Sequence, residues 1–500
     1  MSVDTNNAEF QDALNLIQYT RQSVFLTGKA GTGKSTFLRY VCEHTKKKHV
    51  VLAPTGIAAI NAGGSTMHSF FKLPFYPLLP DDPNLSLQRG RIHEFFKYTK
   101  PHRKLLEQIE LVIIDEISMV RADIIDAIDR ILRVYSHNLR EPFGGKQLLL
   151  VGDVFQLEPV VKNDEREILN RFYPTPYFFS ARVFGQIDLV SIELQKVYRQ
   201  TDPVFVSVLD HIRTNTAGAA DLQLLNTRYG SQIEESEADM YITLATRRDT
   251  VDSINEKKLA ELPGDSITFE GVIEGDFPES SLPTSQELVL KPGAQIIFIK
   301  NDFDRRWVNG TIGVIAGIDE EEETIYVITD DGKECDVKLE SWRNIRYHYN
   351  EKTKEIEEEV LGSFTQYPIR LAWAITVHKS QGLTFSRVVI DFTGGVFAGG
   401  QAYVALSRCT SLDGIQLKKP VSRADIFVRP EIVSFSGRFN NRQAIDKALK
   451  QAQADVQYAA AARAFDKGDF ESCLEQFFLA IHSRYDIEKP TARRLIRRKL

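Results

Sequence analysis

The chain has 500 residues, 43% hydrophobic and 26% charged, a composition typical of a soluble globular protein of about two to four domains. It excludes a membrane-spanning protein, because no apolar run approaches the ~20 residues that cross a bilayer. The net charge of −6 neither supports nor excludes a polyanionic partner. Residues 319–360 carry 15 acidic and 6 basic residues, so the rest of the chain sums to +3.

The N-terminus and the cysteines favour a reducing compartment. "MSVDTNNAEF" has neither the basic start nor the apolar core of a secretory signal. The four cysteines are far apart and lack metal-type spacing. We therefore expect a protein without a membrane segment, cytoplasmic or nucleoid-associated in a bacterium and nuclear or mitochondrial in a eukaryote.

The first predicted strand leads into a glycine-rich loop. "SVFLTGKAGTGKSTFL" (23–38) fits the pattern G-x-x-x-x-G-K-[ST] at Gly28, Gly33, Lys34 and Ser35. The glycines let backbone N–H groups surround phosphates, the lysine reaches the β- and γ-phosphates, and the hydroxyl ligates Mg²⁺. A glycine turn with a surface lysine is the alternative, but the strand-loop-helix context favours nucleotide binding.

Three further apolar strands deliver polar residues at their carboxyl ends, where open α/β sheets bind ligands. "HVVLAPTG" (49–56) ends at Thr55, and "ELVIIDEIS" (110–118) ends at Asp115 and Glu116. "KQLLLVGDVFQL" (146–157) ends at Asp153 and Gln156. Asp115 is positioned to hold Mg²⁺ and Glu116 to act as general base. Between them, the helical stripe of 121–137 predicts core packing only.

A second α/β unit follows without a second phosphate loop. Its strands are predicted in 239–255 and 386–395. It offers Arg199 in "LQKVYRQ" and Arg408 in "AYVALSRCTS". An arginine from a neighbouring domain neutralises γ-phosphate charge only when the domains close, which is the coupling that a motor needs. A surface ion pair is the alternative for a single arginine.

Three segments interrupt or extend this plan. Four prolines break residues 73–103, which are either a functional insertion or a tolerated loop whose Phe75 and Tyr76 stack on bases or pin it to the core. Residues 265–360 predict a small β-barrel with a hairpin at Asn309-Gly310 and a turn at 329–333. Residues 458–484 resemble one tetratricopeptide unit, which caps the motor or docks on a protein partner, and the chain ends in the basic "RRLIRRKL".

Seven blocks in order carry a family resemblance: "GKAGTGKST", "APTGIAAINAGGSTMHSFF", "VIIDEISMV", "GDVFQLEPV", "LQKVYRQ", "WAITVHKSQGLTF" and "YVALSRCTS". Together they resemble the superfamily 1 DNA helicases of the Pif-type, RecD-like branch. The resemblance spans about residues 8–420. It implies two RecA-like motor domains, ATP with Mg²⁺, 5′-to-3′ unwinding from a single-stranded tail, and roles in DNA repair and telomere maintenance.

The resemblance also assigns residues. It implies nucleotide contacts at Gln11 (as the adenine reader), Gly28, Ala30, Gly31, Thr32, Gly33, Lys34, Ser35, Thr36, Asp115 and Gly382, with Ser35 and Asp115 on the metal. It implies catalytic roles for Lys34, Glu116, Gln156, Arg199 and Arg408. It implies DNA contacts at Thr55, Gly56, His68, Val160, Asn301, Asn309, Thr376, His378 and Lys379, and Arg306 and Trp307 are further candidates. Trp307 is equally consistent with a barrel core. Glu158 departs from the family, which usually has proline there, and puts an acid near the expected DNA floor.

The predicted architecture is therefore α/β with five parts. Residues 1–175 form the first RecA-like domain, with a small insertion at about 73–103 that the resemblance links to duplex splitting. Residues 176–264 and 361–434 form the second RecA-like domain, 265–360 an SH3-like β insertion, and 435–500 a helical extension.

We expect a monomeric ATP-dependent DNA helicase that acts on single-stranded DNA and at single-strand/duplex junctions. The alternative is a nucleic-acid-stimulated ATPase switch or scaffold without strand separation. A nucleotide kinase is disfavoured by the paired arginines and the late motifs.

Overall fold

The structure is a computed structural model that describes residues 4–87, 91–200, 202–230, 240–304, 306–350, 352–353 and 355–484. The start of the strand segment predicted from residue 239 and the basic C-terminal end at 493–500 lie outside the described residues. Among the described residues, no helix has the length and apolar character needed to cross a membrane.

The first unit is built on a parallel sheet. Its strands are β1 (Val24–Gly28), β2 (His49–Ala53), β3 (Ser65–Thr66), β4 (Leu111–Ile114), β5 (Gln147–Val151) and β6 (Val190–Leu194). They lie in the order β3-β2-β4-β5-β1-β6, and every pairing is parallel. Helices cover both faces, so β1, β4 and β5 are buried along their whole length, as their continuous apolar runs predict.

The helices of the first unit are α1 (Ala8–Tyr19), α2 (Lys34–His44), α3 (Gly56–Ala62), α4 (Met67–Phe71), α5 (Arg91–Phe95), α6 (Lys100–Gln108), α7 (Ala122–Tyr135) and α8 (Asn163–Leu169). The predicted stripe of α7 is buried in the core, which confirms a packing role. Within 73–103, the chain forms a 3-10 turn at Pro83–Leu85, then α5 and the start of α6. Phe75 is 84% exposed and Tyr76 53% exposed, so neither pins this segment to the core.

The chain enters the second unit through α9 (Pro203–Arg213), α10 (Ala219–Asn226), β7 (Ile242–Ala245) and α11 (Arg248–Glu261). A β insertion then follows, with β8 (Ile267–Glu270), β9 (Val272–Gly275), β10 (Glu287–Leu290), β11 (Gln295–Phe298), β12 (Ile312–Asp319), β13 (Thr324–Thr329), β14 (Glu334–Val337), β15 (Glu340–Asn350), β16 (Glu355–Gln366) and β17 (Ile369–Leu371). Its antiparallel sheets have the orders β14-β13-β12-β11-β17, β15-β16-β9 and β10-β8.

The second unit then closes with β18 (Ala374–Thr376), β19 (Val388–Asp391), α12 (Gln401–Leu406) and β20 (Ile415–Leu417). Its sheet is also parallel, in the order β18-β7-β19-β20. Three helices end the described chain: α13 (Pro430–Ser436), α14 (Arg442–Asp466) and α15 (Phe470–Ser483). The predicted α/β architecture of two RecA-like parallel-sheet units, a small β insertion and a helical extension is confirmed.

Helix α14 begins against the first unit, and its C-terminal end leads into α15, with which it forms the predicted helical pair. Ile445 and Ala448 pack in the same core cluster as Phe10 of α1 and Val190 of β6. The turn between α14 and α15 uses Gly468 at φ 76°, and the Asp469 side chain accepts a hydrogen bond from the Ser472 N–H. The helical extension is therefore anchored on the first unit, and α15 lies beyond that anchor.

The two turns predicted in the β insertion have different outcomes. Strands β11 and β12 do pair, but a loop of residues 299–311 joins them, so Asn309-Gly310 is not a two-residue hairpin turn. The reason is that Trp307 folds back into the core, 6% exposed, with its ring centroid 4.4 Å from that of Phe298. Apolar alternation along the sequence cannot distinguish this arrangement from a tight hairpin. The predicted turn at 329–333 is present between β13 and β14, with Gly332 at φ 79°.

Sheet membership supports two changes to the predicted domain boundaries. Strand β6 pairs with β1, so we propose that the first unit extends to about residue 200 and not 175. Strand β16 runs without a break to Gln366 and β17 pairs with β11, so we propose that the insertion ends near residue 371 and not 360. The β15–β16 hairpin also reaches the first unit, where Ile345, Tyr347 and Tyr349 join its core.

Candidate nucleotide and nucleic-acid site

The glycine-rich loop lies between β1 and α2 in a conformation that glycine alone adopts easily. Gly31 and Gly33 have φ of 81° and 90°, in the left-handed region. A Cβ on Gly31 would lie 2.3 Å from the Cβ of Arg199, so this position also has no room for a side chain. The loop is thus packed directly against the segment that carries Arg199.

Lys34 begins α2 and points back along the loop. Its Nζ donates hydrogen bonds to the carbonyls of Gly28 at 2.7 Å and Lys29 at 3.0 Å. Burial lowers the pKa of Lys34, and the negative charges of Asp153 and Glu116 oppose that shift. The ammonium is therefore held at the centre of the loop in a poorly solvated position, where a phosphate oxygen would stabilise it strongly.

Two carboxylates stand at the end of β4. The Glu116 N–H donates to Oδ1 of Asp115 at 2.9 Å, and the Glu116 backbone is left-handed, with φ 49°. Burial raises the pKa of Asp115. Burial, and then the neighbouring Asp115 charge, raise the pKa of Glu116 to about 7. A carboxylate with a pKa near neutrality can accept a proton from water more readily than an ordinary glutamate.

Three more predicted residues converge on these groups. Gln156 follows β5 and donates from Nε2 to Oδ2 of Asp153 at 3.5 Å. Arg199 comes from the connection between the two units, and its buried NH1 atom has no hydrogen-bond partner among the described residues. Arg408 follows α12 of the second unit and is 1% exposed. It donates from Nε to the Val404 carbonyl at 2.9 Å, and from NH1 to the carbonyls of Ser380 and Leu383, both at 3.3 Å.

These side chains line one cavity of about 590 Å³ between the units. The lining is Asp4, Asn7, Phe10, Ala30, Gly31, Thr32, Gly33, Lys34, Ser35, Thr36, Asp115, Glu116, Gly152, Gln156, Leu194, Tyr198, Arg199, Gly382, Thr384, Arg408 and Thr410. All five predicted catalytic residues are present, with most of the predicted nucleotide contacts. Gly28 contributes its carbonyl to Lys34 from just behind the lining.

Gln11, the predicted adenine reader, is not among the residues that line this cavity. Its Nε2 donates to the Thr5 carbonyl at 2.7 Å, which fixes the segment before α1. The cavity wall there is made by Asp4, Asn7, Phe10 and Tyr198 instead. The Tyr198 hydroxyl donates to Oδ2 of Asp4 at 2.9 Å, which joins the N-terminal segment to the connection between the units.

The donor set fits a nucleoside triphosphate with a divalent cation. Burial lowers the pKa of Lys34, Arg199 and Arg408, so three cations here lack sufficient counter-charge. The buried NH1 of Arg199, which has no hydrogen-bond partner within the described part of the chain, gives the most direct support for an anionic ligand. Among the described residues, no cluster of three His, Cys, Asp or Glu side chains could hold a metal alone. Ser35 and Asp115 would therefore hold Mg²⁺ together with phosphate oxygens and water, as Mg²⁺ prefers.

The predicted DNA contacts of the first unit lie at strand ends and on the surface. Thr55 caps α3, where its hydroxyl accepts from the Ala58 N–H at 3.2 Å. Gly56 touches the β insertion, because a Cβ there would lie 2.5 Å from Oγ of Ser281. The His68 ring stacks on Phe75 at 5.0 Å, and Val160 is 71% exposed. These residues are accessible, but His68 already has an aromatic partner.

The predicted contacts of the second unit lie around the end of β18. Thr376 accepts a hydrogen bond from the Lys379 N–H at 3.2 Å, and the His378 ring lies parallel to that of the exposed Phe397. Asn301 and Asn309 bond each other, from the Asn309 N–H to Oδ1 of Asn301 at 2.7 Å, and so brace the loop 299–311.

A cation that the sequence analysis missed lies nearby. Burial alone lowers the pKa of Arg370, on β17, to about 10, with no opposing carboxylate. After burial, the charges of Arg370 and Arg248 lower the pKa of Lys379. Arg370, Arg248 and Lys379 thus form a basic cluster, in which Asp252 pairs with Arg248 at 3.4 Å and partly offsets the positive charge near Lys379. The sequence gives no local signal for Arg370, because it sits in a short strand without a motif.

Two candidates have other roles in the structure. Trp307 is a core residue, as described above, and Arg306 pairs with Asp302 at 2.8 Å and Asp336 at 2.6 Å. Arg306 is therefore already neutralised. Glu158 was expected to place an acid near the DNA floor, and in the structure that acid forms an ion pair. Its carboxylate is 12% exposed and pairs with Arg429 at 2.6 Å.

Comparison with known proteins agrees with this geometry. A sequence model of the PIF1-like helicase family matches residues 5–215. The ATP-dependent DNA helicase Pif1 of Campylobacter jejuni is 34% identical over 412 residues, which cover 79% of this chain and 88% of that protein. The chain belongs to the PIF1-like helicase family.

Solved structures of family members extend the comparison. The crystal structure of Bacteroides sp. Pif1 in complex with ADP-AlF4 is similar, with 42% identity, a TM-score of 0.79, and coverage of 86% of this chain and 96% of that one. Bacteroides Pif1 bound to ssDNA is 40% identical with a TM-score of 0.63, and covers 89% and 99%.

Tyr403 of the second unit also contacts the phosphate loop. Its hydroxyl accepts a hydrogen bond from the Ala30 N–H of the phosphate loop at 3.0 Å, across 373 residues of chain. Lys29 of the same loop pairs with Asp210 on α9. Both contacts hold the second unit against the phosphate loop, and neither can be predicted from spacing along the chain.

Proposed function

We propose that this chain is an ATP-dependent DNA helicase that moves 5′-to-3′ on single-stranded DNA and separates duplex or structured DNA ahead of it. One observation carries the proposal: Arg408 of the second unit and Lys34 of the first, 374 residues apart, line the same cavity with Glu116. Such a cavity makes domain closure depend on the γ-phosphate. The polarity rests on the family resemblance alone.

The protein groups divide the chemistry of ATP hydrolysis among themselves. Lys34 and the loop amides hold the phosphates, and Ser35 and Asp115 would hold Mg²⁺, which would neutralise phosphate charge. Glu116 removes the proton from the attacking water. Arg199 and Arg408 stabilise the charge that develops on the γ-phosphate, and Gln156 orients the groups around it. After hydrolysis, the arginines lose this anion and the units can separate.

The proposed DNA path runs along the carboxyl ends of both sheets. Thr55, His68 and Val160 of the first unit and Thr376, His378 and Lys379 of the second lie there. Bacteroides Pif1 has been crystallised with ssDNA, which supports a single strand as the ligand. Backbone and stacking contacts would bind DNA with little sequence preference.

The test is strand separation with directional substrates. We expect the wild-type chain, with ATP and Mg²⁺, to unwind duplexes with a 5′ single-stranded tail and to leave 3′-tailed and blunt duplexes intact. Glu116→Gln is the matched control: it should bind ATP but neither hydrolyse it nor unwind. Unwinding only from 3′ tails would reverse the polarity. DNA-stimulated ATP turnover without unwinding of any substrate would favour the alternative, an ATPase switch or scaffold.

A further inference from the structure

An ion pair lies beside the nucleotide cavity, where the chain has just returned from the second unit to the first. Glu158 Oε2 lies 2.6 Å from Nε of Arg429, and Oε1 lies 3.3 Å from NH2. The Tyr177 hydroxyl donates a third hydrogen bond to Oε2 at 3.1 Å. The carboxylate is therefore held by an arginine through two hydrogen bonds and by a tyrosine of the first unit through one, in a largely buried position.

Arg429 marks the place where the chain returns from the second unit to the first. Ile426 packs in the core of the second unit, whereas Ile432 on α13 packs in the core of the first. Val428 already packs against the first core, so Arg429 lies at the first-unit end of this connection, immediately before α13. Rotation of the second unit relative to the first must be accommodated in this connection and in the one that carries Arg199. Glu158 holds the connection at Arg429 from the side.

Glu158 also sits midway between a nucleotide contact and a proposed DNA contact. Gln156 lines the nucleotide cavity two residues before it, and Val160 is exposed two residues after it. The loop between them is shared by both units, because Phe155 packs in the first core and Leu157 in the second. The position of Glu158 therefore affects both ends of the loop.

The N-terminal end of α12 is in close contact with the same loop. A Cβ on Gly400 would lie 2.3 Å from the carbonyl oxygens of Phe155 and Gln156, so backbone meets backbone there. A Cβ on the neighbouring Gly399 would lie 3.9 Å from Oε2 of Glu158. Helix α12 leads directly to Arg408. The loop thus lies between α12, which precedes Arg408, and the connection that carries Arg429.

We infer that Glu158 is a positioning residue that couples DNA binding to ATP turnover, by locking the loop 155–160 to the returning connection through Arg429. The inference rests on the proposed function. With the pair intact, a movement of the second unit on DNA is transmitted to Gln156. Without it, the loop and the connection move independently. Removal of one partner also leaves the other charge without its counter-ion in a mostly buried position.

The experiment is a double-mutant cycle on ssDNA-stimulated ATP turnover with Glu158→Ala, Arg429→Ala and the combined variant. Each single variant should lower the DNA-stimulated kcat about tenfold, as expected for a displaced group near the reaction. The combined variant should be no worse than either single one. Turnover without DNA should change less than about twofold, because Lys34, Glu116 and Arg408 are unaltered.

Two variants separate coupling from folding. Glu158→Gln keeps the shape and one hydrogen bond, so it should fold like the wild type and lose part of the stimulation. The exchange Glu158→Arg with Arg429→Glu should recover part of the stimulation that either single change loses. Glu359→Ala is the matched control, because Glu359 pairs with Arg346 at the same 2.6 Å but both side chains are about half exposed within one hairpin. It should behave as wild type.

Binding measurements supply a readout that a merely structural role would not change. The affinity of wild type for ssDNA should shift with a non-hydrolysable ATP analogue, and this shift should shrink in Glu158→Gln. Additive losses in the cycle, or wild-type stimulation in a folded Glu158→Gln, would overturn the inference while leaving the proposed function intact. A wild-type chain whose ATP turnover ignores ssDNA would overturn both.

Discussion

The six-stranded sheet of the first unit and the four-stranded sheet of the second are both parallel, yet their carboxyl ends carry different side chains. The first sheet ends in the phosphate loop, Asp115, Glu116 and Gln156. The second ends in Thr376, His378 and Lys379, with Arg370 and Arg248 beside them. The same architecture thus serves two ligands, because the loops and not the sheet determine the chemistry.

Solvation separates the two ends further. The ionisable groups of the first sheet line a cavity between the units, where burial lowers the pKa of Lys34 and raises the pKa of Asp115 and Glu116. Burial also lowers the pKa of Lys379 of the second sheet, but its side chain remains more exposed to solvent than that of Lys34. A buried site can hold one triphosphate precisely oriented, whereas an open one lets a strand slide. The comparison therefore predicts large effects on turnover from the first region and moderate effects on DNA affinity from the second.

The largest expected effect comes from Lys34→Ala. ATP turnover should fall by at least about 10⁴-fold, because the γ-phosphate loses its fixed cation in the transition state. Lys29→Ala is the control in the same loop: its ammonium pairs with Asp210, so turnover should fall far less. The measurement is steady-state ATP hydrolysis with and without ssDNA. Near-native turnover of Lys34→Ala would contradict the assignment of the nucleotide site.

The next largest effect should follow Arg408→Ala. Turnover should fall about 10³-fold, the low end of an arginine finger, while ATP binding weakens only modestly because Lys34 remains. The nucleotide-dependent shift in DNA affinity should disappear. Arg408 also bonds buried carbonyls, so thermal unfolding of Arg408→Ala and Arg408→Lys should be measured alongside. If a folded variant kept the nucleotide-dependent shift in DNA affinity, Arg408 of the second unit would not contribute to the nucleotide site of the first.

Arg370→Ala tests the second sheet by itself. Affinity for ssDNA should fall about tenfold, and the slope of log affinity against log salt should become shallower by about 0.7, the loss of one phosphate contact. ATP turnover at saturating DNA should stay near wild type. Arg438→Ala, an exposed arginine outside the basic cluster, is the control and should change neither quantity. A steep loss of unstimulated turnover in Arg370→Ala would contradict the assignment of ATP turnover to the first sheet and of DNA binding to the second.

The smallest expected effect concerns the contact between the first unit and the β insertion. His102 on α6 is 7% exposed, and burial, followed by the charge of Lys72, lowers its pKa to about 4. The unfolded chain takes up this proton near pH 6.5, so folding stability from His102 is complete above that pH and lost as pH falls toward 4. Between pH 7.5 and 5.5 the loss should be about 1.4 kcal/mol.

Urea unfolding of the wild type and of His102→Phe at both pH values measures this change in the free energy of unfolding. The variant should lose less stability on acidification than the wild type does. Equal pH dependence in the two proteins would mean that other groups carry the acid sensitivity.

Much of the fold and of the nucleotide site could be predicted from the sequence. Continuous apolar runs such as 110–114 and 147–151 specify strands buried on both faces, since only a covered parallel sheet buries both sides. Lys34, Ser35, Asp115 and Glu116 follow such strands at fixed spacing, so local pattern places them. The contacts of Arg199 and Arg408 with the same cavity were expected from a family resemblance, and no spacing rule gives them.

The sequence by itself determined the local elements, the phosphate loop and the acids behind it, because each depends on neighbours within a few residues. Only the tertiary structure decided the rest. Trp307 lies in the core of the β insertion. Gln11 holds the N-terminal segment and does not line the cavity, and Glu158 pairs with Arg429, 271 residues away. Arg370 gained its significance from burial beside Lys379. Burial and charge pairing between distant segments depend on how whole units pack, and periodicity along one segment carries no information about that packing.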